Sequence, residues 1–112
     1  MLNDSSQLDR AFSALADPVR RGMLARLSLG PASVSELASP LPISLPAVLQ
    51  HLKALELSGL VGSEKKGRVR TVHMKPSALT AAESWLTGRR QELEAQLDRF
   101  EQHLATLKGI HS

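Results

Sequence analysis

The chain has 112 residues, 14 of them basic and 11 acidic, a formal charge of +3, and no cysteine. That length suits one domain of ordinary size, and the cysteine count excludes disulfides, thiolate metal sites and cysteine nucleophiles. The positive excess is local. Residues 1–43 and 76–112 carry net charges of 0 and −1, whereas residues 44–75 carry +4, from Lys53, Lys65, Lys66, Arg68, Arg70 and Lys75 against Glu56 and Glu64. A cationic stretch of this kind points to a polyanionic partner.

Residues 1–7 are polar and are expected to form a flexible start; they lack the apolar core of a secretion signal. No run approaches the ~18 apolar residues of a membrane span, so the expected location is the cytoplasm, with no membrane partner. From Leu8 the spacing of Leu8, Ala11, Phe12 and Leu15 predicts a helix. Asp17-Pro18 ends it and starts another over about 18–28, because Asp17 can cap the following amides and proline suits a first turn. That helix turns Val19, Met23, Leu24 and Leu27 inward and leaves Arg20, Arg21 and Arg26 for solvent or phosphate. Gly30-Pro31 stops it. Ser33 or Ser35 opens a short third helix through Ala38, and the prolines of Ser39-Pro40-Leu41-Pro42-Ile43 make a stiff connection.

Ser44 reads as the N-cap of a fourth helix, with Pro46 in its first turn. At 100° per residue Leu45, Val48, Leu52 and Leu55 share a side, expected to be buried, and Pro46, Gln50 and Lys53 lie on the other. Leu57-Ser58-Gly59 ends the helix. Two β-prone segments, 60–65 and 68–74, flank Lys66-Gly67 and predict a hairpin with a basic tip. Ser77 then caps a long helix to about Leu107, with a kink expected near Gly88. Along it Leu86, Leu93, Leu97, Phe100, Leu104 and Leu107 follow one another at steps of 7, 4, 3, 4 and 3, a heptad-like seam.

The fold class is therefore mainly α with a small β-hairpin wing: a winged helix-turn-helix with a helical dimerisation arm. It spans 8–107 as a single domain, leaving 108–112 as a tail. The third and fourth helices form the helix-turn-helix. A reading helix buries one face on its own domain and offers short polar groups to base edges from its N-terminal half. Candidate DNA-contacting residues are Ser44, Pro46, Ala47, Gln50, His51 and Lys53 on that helix, and Lys65, Lys66, Arg68 and Arg70 on the wing. Gln50 can pair with adenine, and Leu49 or Pro46 can touch a thymine methyl. The wing cations can follow phosphates or straddle a minor groove. For His51, a hydrogen bond to a neighbouring helix is as good a reading as a phosphate contact.

Several stretches resemble the ArsR-type winged-helix repressors. They are Leu15-Ala16-Asp17-Pro18-Val19-Arg20-Arg21, then Ile43 through Glu56 (ISLPAVLQHLKALE), Ser58-Gly59-Leu60-Val61, the wing Lys66-Gly67-Arg68-Val69-Arg70, and Glu83-Ser84-Trp85-Leu86. The resemblance covers about Leu8 to Leu107. It implies a homodimeric transcriptional repressor whose first and last helices pair, with Leu8 and Phe12 joining Leu86, Leu93, Leu97, Phe100, Leu104 and Leu107 in the interface. The heptad seam agrees independently, since a helix of about 30 residues spans about 45 Å and outruns so small a domain. Two symmetric reading helices imply a pseudo-palindromic operator on double-stranded DNA.

The chain departs from the metal-sensing members. Its third-helix stretch, Ala32-Ser33-Val34-Ser35-Glu36-Leu37-Ala38, has no thiol. A second family metal site uses Asp, His and Glu on the last helix. Asp98 and His103, five residues apart, stand about 140° from each other, and His111 follows at the tail. The expectation is no metal, no cofactor and, for lack of a phosphate loop or nucleophile-base-acid set, no enzymatic activity. No residue pattern names an effector. The alternative from another class is a winged-helix protein-interaction module that does not read DNA.

Overall fold

The Asp17-Pro18 step shows how local chemistry sets the chain's path. Asp17 Oδ2 accepts from the Arg20 amide at 3.0 Å, Pro18 occupies the first turn, and helix α2 runs Pro18–Leu27. The Arg20 amide is also the main reason the Asp17 carboxyl is held below its ordinary range. The computed structural model describes residues 4–110. In it α1 (Asp4–Leu15) and α2 are followed by a short strand β1 (Ala32–Ser33), α3 (Val34–Ala38), α4 (Leu45–Leu57), the hairpin β2 (Val61–Lys66) and β3 (Val69–Met74), and α5 (Pro76–Ile110).

Each short helix carries its own start signal. Ser33 and Glu36 form a capping box. The Ser33 hydroxyl accepts from the Glu36 amide at 3.1 Å, and the Glu36 carboxylate accepts from the Ser33 amide at 3.2 Å. Donation to the carboxylate, first from the Ser33 amide and then from its hydroxyl, holds the Glu36 carboxyl below its ordinary range. α4 stops at a left-handed glycine. Gly59, at φ +80°, lets its amide reach the Glu56 carbonyl and the Leu60 amide reach the Leu55 carbonyl, the Schellman pattern. The turn between β2 and β3 is Gly67-Arg68, with Gly67 at φ +61° in the first central position, as a type II′ turn requires.

The sheet order is β1-β3-β2, all antiparallel, with Ala32 opposite Val72 and Val61 opposite Met74. The chain forms two compact units divided between Ala82 and Glu83, a boundary inside the span 8–107 that the sequence suggests as one domain. In the first unit Val48 and Leu55 of α4 meet Leu60, Val61 and Val72 of the hairpin region, all at most 1% exposed, with Met23, Leu24 and Leu27 of α2 around them. In the second unit α5 carries ion pairs from Arg89 to Glu92 at 2.7 Å and from Arg90 to Glu94 at 3.7 Å. The Arg89 guanidinium also lies 5.1 Å from the centre of the Trp85 ring.

Four expectations are corrected. α1 starts at Asp4 rather than Leu8, so most of the supposed flexible start is helical. Gln7 Nε2 donates to the Ser58 carbonyl at 2.7 Å, which ties that polar turn down. α5 continues to Ile110, into the expected tail. β1 was not foreseen; it precedes α3 directly and exists by pairing with β3. Leu45, assigned to the buried side of α4, is 55% exposed. It sits in the first helical position, where the shared face has run past the edge of the core.

Candidate nucleic-acid interface

α4 is positioned by its two ends. At its start the Ser44 hydroxyl accepts from the Ala47 amide at 3.3 Å and Pro46 stands in the first turn. At its end the buried Ser58 hydroxyl donates to the Leu55 carbonyl at 2.7 Å. Between them Val48, Leu52 and Leu55 anchor the inner face. The helix leaves Ser44, Pro46, Gln50 and Lys53 exposed and Ala47 half-buried. With the Ser44 hydroxyl accepting from an amide, its hydrogen remains available as a donor.

His51 is turned toward α2. Its Nδ1 accepts from Arg20 Nε at 3.2 Å and lies 3.8 Å from Asp17 Oδ2. Arg20 also donates to the Ser13 carbonyl at 3.4 Å, and Arg21 to the Leu15 carbonyl at 2.8 Å. These arginines thus bind the ends of α1 to α2, and His51 ties α4 to the same place.

The wing presents Lys65, Lys66, Arg68 and Arg70, all exposed. Arg70 is the most constrained of them. Its guanidinium donates to the Ser63 hydroxyl at 3.4 Å and stands 4.0 Å from the Glu56 carboxylate, which itself accepts from Ser63 at 2.6 Å. Glu56 therefore links α4 to both strands of the hairpin, a role the sequence reading missed. Its signal was there: Glu56 is the one acid on a helix that otherwise belongs to the cationic stretch. The reading also missed that Leu45 and Leu49 stand beside the wing cations along one groove of about 410 Å³.

The candidate interface residues of the other group divide. Leu8 and Phe12 are half-buried on α1. Leu86, Leu93, Leu97, Phe100, Leu104 and Leu107 of α5 are between 40 and 59% exposed. Among the described residues no three His, Asp or Glu side chains gather to hold a metal ion, and His111 lies outside them. Nor, among them, is any helix long and apolar enough to cross a membrane.

Comparison with known proteins agrees with this architecture. Residues 15–63 match a family model described as a helix-turn-helix domain. The chain is 44% identical over 92 residues to the HTH-type transcriptional regulator Rv2034 of Mycobacterium tuberculosis, covering 82% of this chain and 76% of that one. Among solved structures it resembles the ArsR family transcriptional regulator RHA00566, at 46% identity and a TM-score of 0.79, over 84% of this chain and 97% of that one. A more distant likeness, at 23% identity and a TM-score of 0.62, is the winged helix-turn-helix DNA-binding domain Mb0332 of Mycobacterium bovis. It covers 80% of this chain and 84% of that one, and that domain is described as homodimeric. The capped reading helix, the basic hairpin beside it and these likenesses together place the chain in the ArsR family of winged helix-turn-helix transcriptional regulators.

Proposed function

We propose that the chain is a homodimeric repressor that reads a pseudo-palindromic operator in double-stranded DNA with α4 and grips the phosphates with the wing. One observation carries this reading: α4 leaves Pro46, Gln50 and Lys53 exposed while the hairpin that follows it exposes Lys65, Lys66, Arg68 and Arg70. Polar groups on a rigid helix specify bases, and exposed cations beside them supply affinity for any sequence. The homodimer is supported by the exposed seam of α5 and by the homodimeric domain of M. bovis. A symmetric dimer of this kind engages two half-sites about 34 Å apart, one turn of duplex. Occupancy of the operator is what represses, a role for which no catalytic group is needed. The chain works in the cytoplasm, where the DNA is. Release is not triggered at a thiolate, because the chain has no cysteine.

A salt series tests this, with fluorescence anisotropy on a duplex from the region upstream of the gene. The expected affinity falls steeply with salt, by about 0.9 of a log unit per phosphate contact for each log unit of salt. Arg68→Ala lowers affinity for all sequences alike and flattens the slope by about 1 per protomer, whereas Gln50→Ala relaxes preference at one base pair, at about 1–3 kcal/mol. Affinity independent of salt, or no preference among duplexes, sinks the proposal and favours a protein-interaction module.

A further inference from the structure

We infer that Leu45 and Leu49 read the 5-methyl groups of thymine in the groove between α4 and the wing, so that each operator half-site carries thymine opposite this pair. The inference rests on the DNA-binding reading above and adds what that site recognises. Two leucines four residues apart lie on one side of a helix. Here both are in the first two turns of α4, the part of a reading helix that meets base edges, and both are open to solvent, at 55 and 46%. Neither belongs to the core cluster. With Val34 and Val69 they line the groove of about 410 Å³, and Lys65, Arg68 and Arg70 line it as well.

An apolar surface edged with cations selects its occupant by both properties at once. Arg70 already faces Glu56, whereas a purely apolar partner offers no counter-charge to Lys65 and Arg68. A duplex matches them with phosphates and offers one apolar group in its major groove, the thymine methyl. Polar residues at these two positions would hydrogen-bond to base edges; leucine cannot, and discriminates by the presence or absence of a methyl group. Gln50, exposed on the same two turns, can take an adenine in the same half-site.

The test is methyl deletion on the DNA. An operator is selected from a random duplex pool with the full chain, and each thymine is replaced in turn by deoxyuridine, which keeps base pairing and removes only the methyl. One or two positions per half-site are expected to lose about fourfold in affinity for each methyl removed, the cost of exposing one such group. Changes in both half-sites are expected to multiply to roughly fifteenfold. Leu49→Ser is expected to collapse the thymine-to-uracil ratio at its position, while the ratio persists in Arg68→Ala. If every uracil duplex binds within twofold of the parent while selection still yields a defined operator, the inference is overturned and the DNA-binding reading stands. If selection yields no preferred sequence, the reading itself falls and the inference with it.

Discussion

The two compact units treat their large apolar side chains in opposite ways. In the first, up to Ala82, Val48, Leu55 and Leu60 are wholly buried in one core, and the large apolar side chains left open, Leu29, Leu45, Leu49, Leu57 and Val69, stand on an otherwise largely polar or charged surface. In the second, beyond Glu83, the described part is one stretch of helix whose seam from Leu86 to Leu107 lies open while Arg89, Glu92, Arg90 and Glu94 pair with one another on its surface. The first unit builds a continuous core within itself. The second has the repeat of a core and no core of its own. A row of apolar side chains with heptad-like spacing is what a helix carries when another helix completes it. The proposed pairing implies a division of labour: the stability of the reading head is set within one chain, and that of the arm is expected to depend on concentration.

Core substitution gives the largest contrast. Leu55→Ala, at a position with 0% exposure, is expected to cost about 2–5 kcal/mol in denaturant unfolding, independent of protein concentration. Next in size, Leu97→Asp on the open seam is expected to weaken association rather than the fold of the head. Removing one buried leucine is worth about 1.5–3 kcal/mol, so the dimer dissociation constant measured by sedimentation should rise at least tenfold. Equal effects of the two variants on concentration-dependent melting would erase the distinction between the units. A smaller effect, about 1 kcal/mol, is expected for Ser44→Ala, which removes the cap of α4; it should appear in melting of the head.

Acid gives the smallest effect. The carboxyls of Asp17 and Glu36 sit below their ordinary values of 3.8 and 4.5 because backbone amides donate to them. A depressed carboxyl lends stability above its unfolded value and loses it as pH falls through the folded one. The melting midpoint should therefore hold above about pH 4.5 and decline below it, and Asp17→Asn should make that decline shallower. A decline that begins near neutral pH would mean that other groups govern it.

Much of the head was legible because its signals are local. Asp17-Pro18, Ser44 with Pro46, and Gly59 each fix a helix end by chemistry within a few residues. The hairpin was legible from its glycine and its β-prone flanks. What was not legible depends on distance. β1 is two residues long and is defined by a partner forty positions away, Val72 for Ala32. The early start of α1 has no apolar period to announce it. Leu45 shows the limit of a helical wheel: the angle places it with Leu52, but its height on the helix places it past the core, beside the wing. That single displacement turned an assumed core residue into part of the candidate reading surface. His51, by contrast, was open to two readings, and its bond to Arg20 places it against α2.

The bond from Gln7 to the Ser58 carbonyl reaches from the first helix to the last residue capping α4. It bears on how the protein should be trimmed for study. A truncation starting at Leu8 discards only residues that look dispensable, yet it removes a donor from a residue that is 1% exposed. Expression boundaries and affinity tags are better set ahead of Asp4, with a spacer. A shortened version that binds DNA poorly should first be checked for the loss of that donor, before the fault is sought in the reading helix.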